Sequence, residues 1–150
     1  MWTTLIVCFV LILVAIPLWG RRRKAVLETG RQQAMLQFVD RWQDFKVHFL
    51  QQAAATGKPR GLRWMACDFQ SNPLFATDPD QSALFALVAA TIRFEAIEGG
   101  DMEEVEAVGN LRGATAVFVF RNGHWYTDGR VVFNLDPAET CAWFHLTGLG

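Results

Sequence analysis

A long apolar run near the first residue is followed directly by a basic cluster. The eighteen residues 2–19 contain no charged side chain, and Arg21, Arg22, Arg23 and Lys24 come next. An α-helix rises about 1.5 Å per residue, so this run is roughly 27 Å long, close to the hydrocarbon thickness of a bilayer. The sequence therefore predicts a transmembrane anchor over residues 1–20. The lipid bilayer is then one expected partner of the chain.

The basic residues predict the orientation of this anchor. Lys and Arg beside a membrane span are retained in the cytoplasm. The basic juxtamembrane segment 21–29 thus predicts a single-pass protein of the cell (inner) membrane, with the C-terminal domain, residues 30–150, in the cytoplasm. The four cations also suit anionic lipid headgroups, at about 1 kcal/mol for each cation.

A secretory signal peptide and a buried helix of a soluble protein are the alternatives to an anchor. A signal peptide has basic residues before its apolar core and small residues at its cleavage site. Here no basic side chain precedes the run, and its end, Ile16-Pro17-Leu18-Trp19-Gly20, has no Ala-x-Ala pattern. The adjacent cations favour an anchor over a buried helix.

The charge of the remaining chain argues against nucleic acid as a partner. The whole sequence has 14 Lys and Arg and 15 Asp and Glu; without the four membrane-proximal cations, residues 25–150 carry 10 against 15, a net charge of −5. Proteins that bind nucleic acid need basic surface to neutralise phosphates. We therefore expect another protein or a small ligand as the partner of this domain.

The cysteines and histidines form no metal or cofactor pattern. Cys67 and Cys141 are not part of a C-x-x-C motif, so free thiols are expected in a reducing cytoplasm, whereas the opposite orientation leaves a disulfide between them open. Cys141 and His145 are four residues apart, which predicts one shared helix face, but zinc needs further ligands. His48 and His124 are expected to be solvated.

The acidic residues after the middle of the chain do not form a calcium motif either. A calcium loop alternates oxygen ligands around a glycine turn and ends with a bidentate Glu. The stretch Asp101, Glu103, Glu104 and Glu106 does not follow that order. We expect a solvated loop or a weak edge strand here.

Residues 30–53 predict one long amphipathic helix. Apolar side chains recur at spacings of three and four residues, within an arc of roughly 140° at 100° per residue. The stripe consists of Met35, Phe38, Val39, Trp42, Phe45, Phe49 and Leu50. Thr56-Gly57-Lys58-Pro59 ends the helix, because Gly favours the C-terminal cap and Pro cannot continue a helix. An aromatic stripe of this kind predicts a core face that covers a sheet.

The residues after this helix predict an antiparallel sheet of about four strands. Leu62–Phe69 has the composition of a first strand, and Asn72-Pro73 and Asp78-Pro79 predict a loop. Leu84–Glu98 alternates between its two faces, as a strand does. Val88, Ala90, Ile92, Phe94 and Ala96 share one face, and Thr91, Arg93 and Glu95 share the other.

Asn122-Gly123 predicts a tight hairpin turn, because both residues tolerate positive φ in a type I′ turn. Such a turn sets Phe120 opposite Trp125 and places both, with Phe118, on the face that meets the helix. Val119 and Tyr126 then share the other face. Gly129 predicts a bulge or bend in the second strand of the hairpin.

The tail predicts a short C-terminal helix. Asp136, Pro137 and Glu139 occupy its N-cap, first and third positions, as in a capping box. Its expected apolar side consists of Ala138, Ala142, Trp143 and Leu146.

This order of elements, one long helix and then an antiparallel meander, resembles the cystatin-like α+β arrangement that the NTF2-like superfamily shares. The resemblance covers residues 30–134 and implies a cystatin-like α+β domain. The segment 94–100 and the hairpin 120–125 also resemble small membrane-anchored planctomycete proteins of unknown function. Cystatins inhibit cysteine proteases with a Gln-x-Val-x-Gly hairpin, and the nearest string here, residues 106–109, lacks it.

Tyr126 and Asp128 are the catalytic candidates. In ketosteroid-isomerase-like relatives, an Asp base and a Tyr donor line the cone between helix and sheet. In this chain the two residues share a strand face opposite the aromatic face, so they are expected away from the helix.

We therefore predict a membrane-tethered, non-catalytic binding or interaction module. Its expected contact surface is the sheet face that the long helix leaves open, with Val119, Tyr126, Arg93 and Glu95. One alternative is an NTF2-like small-ligand enzyme that uses the helix–sheet pocket. The other is a structural membrane protein that forms a homodimer through the open sheet face.

Overall fold

The computed structural model describes residues 22, 25–56, 62–80, 82–99 and 111–149. The predicted anchor, residues 1–20, and the acidic stretch 101–106 lie outside these residues. The chain divides between Gln37 and Phe38 into two compact units. The sequence-based division into an anchor, a basic segment and a domain over 30–150 stays a prediction.

In the first unit, residues 25–37 are helical, and helix α1 continues to residue 40. The Thr29 hydroxyl donates a hydrogen bond of 2.9 Å to the Ala25 carbonyl. Arg31 and Glu28 form an ion pair at 3.8 Å, one helical turn apart. Among the described residues, no helix has the length and apolar content that crossing a membrane requires.

Helix α2, Trp42–Thr56, follows after a turn at Arg41. The single helix predicted over residues 30–53 is therefore wrong in its bounds, since helix extends from residue 25 and is interrupted once. At the interruption the Arg41 carbonyl accepts from both the Asp44 and Phe45 amides, at 3.1 and 3.2 Å. Neither Gly nor Pro marks this position, so no local pattern indicates the interruption.

Within the described residues the sheet has seven strands, all paired antiparallel. They are β1 Leu62–Phe69, β2 Leu74–Thr77, β3 Leu84–Ala96, β4 Arg112–Arg121, β5 His124–Tyr126, β6 Val131–Phe133 and β7 Thr147–Gly148. The α+β class is confirmed, and the count of about four strands is wrong.

Two interruptions explain the larger count. The long strands β3 and β4 pair with each other along the centre of the sheet. β1 and β2 both pair with β3, separated by residues 70–73, and β5 and β6 both pair with β4, separated by residues 127–130. The predicted loop between residues 72 and 80 thus contains a short strand, β2. The last strand, β7, pairs with β2 and was not predicted.

One face of the sheet, the α2 face, packs against Phe38 and helix α2. Phe38 is buried, with ring centroids 4.7 Å from Trp125 and 5.1 Å from Phe118. The core also contains Phe49, Ala53, Ala86, Val88 and Ala116, with Trp42, Phe45, Phe69, Phe75 and Val131 packed against it. The aromatic face predicted for the hairpin therefore does meet the helix.

The buried stripe over residues 38–53 is narrower than predicted. Val39 and Leu50 are exposed, and Ala53 is buried. The residues that pack on the sheet, Phe38, Trp42, Phe45, Phe49 and Ala53, lie within roughly 80° of arc at 100° per residue. Lys46 lies beside this stripe, with its Nζ 6.0 Å from the Trp42 ring centre and 5.9 Å from the Phe69 ring centre.

The other face of the sheet, the α3 face, is partly covered by the short helix α3, Pro137–Trp143. The predicted capping box is confirmed: the Glu139 amide donates to the Asp136 carboxylate and the Asp136 amide donates to the Glu139 carboxylate, both at 2.8 Å. Cys141 packs with Ala76, Leu87 and Val117.

The predicted apolar side of α3 is wrong. Thr140 and Cys141 are its buried residues, whereas Trp143 is 71% exposed and Ala138 and Ala142 are exposed. The helix has seven residues, fewer than the two full turns that would fix an apolar side from periodicity.

Candidate functional site

The β4–β5 hairpin has the predicted turn and register. Asn122 and Gly123 have φ of 54° and 83°, the positive values of a type I′ turn. Arg121 lies opposite His124, and Val119 lies opposite Tyr126. The turn residues therefore fix which side chains of β4 and β5 face each side of the sheet.

The bulge predicted at Gly129 separates β5 from β6. Between the pairs Val119–Tyr126 and Ala116–Val131, β4 advances by three residues and its partner by five, so two extra residues are accommodated. Hydrogen bonds shape this segment, 127–130, which we name the bulge. The Thr127 hydroxyl donates to the Val117 carbonyl at 3.2 Å and accepts from the Gly129 amide at 3.1 Å.

Gly129 brings the bulge against helix α2. Its φ is +74°, and a Cβ placed on it would lie 2.6 Å from the Ala53 Cα and 2.7 Å from the Gln52 carbonyl carbon. Only glycine allows this approach without a shift of backbone. Asp128 and Arg130, the residues on either side of Gly129, line a cavity on the opposite side of the sheet.

A groove of about 450 Å³ lies on that opposite side, the α3 face. The β3–β4 part of the sheet supplies its apolar floor, and the hairpin turn and the bulge supply its polar rim. Its lining consists of Phe85, Val117, Val119, Arg121, Asn122, Tyr126, Thr127, Asp128 and Arg130. We refer to this site as the groove.

Charge is unevenly distributed in the groove. Arg130 forms an ion pair with Asp128 at 3.7 Å, and the Arg130 amide also donates to the Asp128 carboxylate at 3.0 Å. The second guanidinium, that of Arg121, is on the exposed end of β4. The nearby Asp78 carboxylate accepts hydrogen bonds from the Ser82 hydroxyl and the Ala83 amide, which lower the pKa of Asp78; the charge of Arg121 adds to this effect.

Both catalytic candidates line the groove. Tyr126 is 53% exposed, and the Asp128 side chain is 64% exposed. Acid–base catalysis normally relies on groups that are shielded from bulk water and placed against a substrate. This geometry brings the two residues together on one face, and it leaves them open to solvent.

A smaller cavity of about 180 Å³ lies between the helices and the sheet. Its lining consists of Phe38, Val39, Trp42, Gln70, Ser71, Pro73 and Val88. Tyr126 and Asp128 are not among these residues, and none of the residues lining this cavity is ionisable. The helix–sheet cavity thus does not contain the pair that the enzyme alternative requires.

The predicted contact surface is only partly open. Arg93 and Glu95 are exposed at the far end of β3, where Glu95 forms an ion pair with Arg63 of β1. Val119 and Tyr126 lie at the groove instead. The long helix leaves this face open, but the short helix α3 covers the sheet at Leu87 and Val117.

Cys67 and Cys141, the cysteines within the described residues, are free thiols and do not meet. Cys67 lies opposite Ile92 and packs in the α2-face core, whereas Cys141 packs on the α3 face. Burial, reinforced by the charge of Asp68, raises the pKa of the Cys67 thiol to about 12. Burial also raises the pKa of the Cys141 thiol. Neither environment favours a nucleophilic thiolate.

The described residues contain no group of three metal-ligating side chains. Cys141 and His145 do not share a helix face, because α3 ends at Trp143 and His145 has a φ of 55°. His48 and His124 are exposed, and so is His145.

Sequence reasoning named Val119, Tyr126 and Asp128 but none of the other residues that line the groove, among them Phe85, Arg121 and Arg130. The alternation of the hairpin placed Thr127 on the aromatic face, and the structure places it in this lining instead. A partial signal existed for Phe85 and Arg121, since the alternation of β3 sets the face of the first and the Asn-Gly turn sets the position of the second. Their convergence depends on the β3–β4 register, in which Phe85 lies opposite Val119. That register joins distant parts of the chain and left no local signal.

Comparisons with protein-family models, with curated proteins and with solved structures give no match to this chain.

Proposed function

We propose that this protein is a membrane-tethered, non-catalytic binding module whose groove takes a small ligand. The observation that supports this proposal is the groove itself, a concavity of about 450 Å³ with an apolar floor and a few polar groups on its rim. Ligand sites in proteins commonly have volumes of about 300–1,000 Å³ and this composition.

The groove favours a small ligand over a protein partner. A stable protein–protein interface buries roughly 800 Å² on each side and needs a broad surface. Here α3 occupies the middle of the face, and the remaining concavity is of a size that suits a single small molecule. A homodimer through this face has the same difficulty.

The tether in this proposal rests on the sequence. Residues 2–19 are uncharged and four cations follow them, which favours a span with the domain in the cytoplasm. The cystatin-like assignment of the domain is likewise our proposal, and it rests on the order of one helical region followed by antiparallel strands.

Ligand-observed NMR on the full chain in detergent micelles tests the binding function. A fragment library with neutral, cationic and anionic members is screened against the protein and against Val119→Arg, which fills the floor of the groove. We expect fragments that bind the protein and are lost in Val119→Arg, while the control Val47→Arg, on the exposed side of α2, retains them. If every hit binds Val119→Arg equally well, the groove is not a binding site.

Protease accessibility tests the tether and its orientation. In intact cells the C-terminal domain should be protected, and permeabilisation should expose it to digestion. Recovery of the whole chain in the soluble fraction would contradict the tether, and digestion in intact cells would contradict the cytoplasmic placement.

A further inference from the structure

We infer that the ligand of the groove is a small molecule with an apolar body and a single carboxylate, which Arg121 binds. This inference rests on the proposed binding function and specifies the chemistry of that same site. It follows from three properties of the groove: its floor, its charge balance and the one guanidinium that is available.

The floor selects an apolar body. Phe85 of β3 and Val119 of β4, both half-buried, form a continuous surface beside the buried Val117, because Phe85 lies directly opposite Val119 in the register. The Tyr126 ring stands beside them on β5, opposite Val119 on the other side. An aromatic or branched aliphatic group that covers this surface removes apolar area from water, at about 25 cal/mol per Å².

The charge balance selects one negative charge. The residues that line the groove include two guanidinium groups, Arg121 and Arg130, and one carboxylate, Asp128, so the net charge of the lining is +1. Asp78 lies near Arg121 but outside the lining, where Ser82 and Ala83 bind its carboxylate. A ligand with one negative charge neutralises this surface. A dianion would leave excess negative charge beside Asp128, and a cation would add to the positive charge.

Arg121 is the guanidinium that remains available. Arg130 already forms an ion pair with Asp128, with 3.7 Å between a guanidinium nitrogen and a carboxylate oxygen. Asp78, the carboxylate whose pKa responds to Arg121, is already bound by the Ser82 hydroxyl and the Ala83 amide. Across the part of the chain that the structure describes, Arg121 has no ion pair with any carboxylate. A planar guanidinium binds a carboxylate through two parallel hydrogen bonds, so a ligand carboxylate fits it well.

The test uses two probes of nearly equal shape, naphthoate and naphthamide, which differ in charge. Both are titrated into the full chain in non-ionic detergent micelles, and binding is followed by NMR. Partitioning of one probe into detergent cancels between variants, because all variants are measured in the same micelles. Between the two probes it differs, so the free concentration of each is measured in micelles without protein. We expect naphthoate to bind about tenfold more tightly than naphthamide, as a charge-assisted pair does relative to a neutral one.

Three variants locate the source of this preference. Arg121→Gln should remove the preference for naphthoate and leave naphthamide binding unchanged. Asp128→Asn should strengthen naphthoate binding several-fold, because it removes the one negative charge of the groove. Arg93→Gln, an exposed residue of the same sheet face outside the groove, is the matched control and should bind both probes as the unchanged protein does.

The outcomes separate this inference from the proposed function. Equal binding of the two probes, or an unchanged preference in Arg121→Gln, overturns the inference while the binding function stands. Tighter binding of naphthyl phosphate than of naphthoate overturns the assignment of a single carboxylate. If no fragment of any charge binds the groove, the proposed function itself fails.

Discussion

Substitution of Gly129 by alanine tests how closely the bulge packs on helix α2. Gly129 is buried and has a φ of +74°. The added Cβ would lie 2.6 Å from the Ala53 Cα and 2.7 Å from the Gln52 carbonyl carbon. Both are backbone atoms of a helix, so neither can move aside as the end of a flexible side chain would.

Two terms contribute to the expected loss of stability. An L-residue held in the left-handed region costs about 1 kcal/mol relative to glycine. Overpacking against backbone that must shift costs a further 1–3 kcal/mol or so. Gly129→Ala should therefore lower the free energy of unfolding by roughly 2–4 kcal/mol.

Gly123→Ala is the matched control. Gly123 also has a positive φ, of +83°, but a Cβ on it meets no atom within 4 Å. This variant carries the backbone strain without the clash, so we expect a loss of about 1 kcal/mol. The reduced freedom of the unfolded chain, which opposes the loss, is the same for both substitutions.

Urea unfolding of the full chain in mild detergent, followed by tryptophan fluorescence, measures the difference. At a slope of about 2 kcal/mol per M, Gly129→Ala should lower the midpoint by roughly 1–2 M and Gly123→Ala by about 0.5 M. Equal midpoints for the two variants would refute the reasoning, because they would mean that the bulge does not press on α2.

Three further predictions concern the core, the cap and a thiol. Phe118→Ala should lower the free energy of unfolding by about 3–5 kcal/mol in the same urea assay, because it leaves a cavity at the centre of the aromatic core. The Phe133 side chain is partly exposed, so Phe133→Ala should lower the free energy of unfolding clearly less. Asp136→Ala removes the capping box and should cost about 0.5–2 kcal/mol, with faster hydrogen exchange confined to α3; unchanged exchange there would contradict the assigned cap. The Cys67 thiol, with its pKa raised to about 12, should react with iodoacetamide at pH 8 about a thousandfold more slowly in the folded chain than in the urea-unfolded chain, as read by peptide mass spectrometry. Since its folded-state pKa is the higher one, its contribution to stability is full below about pH 9 and declines as the pH rises toward 12, and Cys67→Ala should lack this decline.

The parts of the fold that the sequence predicted correctly have strong local causes. Asn122-Gly123 is among the few dipeptides that accept two positive φ values, so the hairpin register followed from it. Asp136 and Glu139 satisfy each other's backbone donors, so the start of α3 followed as well.

The parts that it predicted wrongly depend on tertiary contacts. β2 lies between Pro73 and Pro79, which mark loops, and becomes a strand because β3 offers it a paired edge. On α3, Thr140 is buried although its hydroxyl has no hydrogen-bond partner among the described residues. The core-facing side of a helix is predicted from its apolar residues, because burial of a polar group is costly. A buried polar residue such as Thr140 is therefore not predicted to lie on that side.

In the candidate site, too, the features with local causes were predicted and the features that depend on tertiary contacts were not. Alternation along the hairpin placed Tyr126 and Asp128 on one face. The groove also needs Phe85 from a distant strand and the bulge that places Arg130, and both depend on pairing with β4. A local pattern can therefore give the face of each residue, while the register of the sheet decides which residues form one surface.

The bulge connects the stability of this domain to its proposed site. Gly129 packs on α2 at one face of the sheet, and its neighbours Asp128 and Arg130 line the groove at the other. A displacement of Gly129 away from α2 must move both neighbours, because no other residue separates them. Gly129→Ala should therefore weaken the binding of a groove ligand and also lower the stability of the domain, although Gly129 does not line the groove. Gly123→Ala should weaken this binding less than Gly129→Ala does. The packing of the core thereby sets the position of the charged rim.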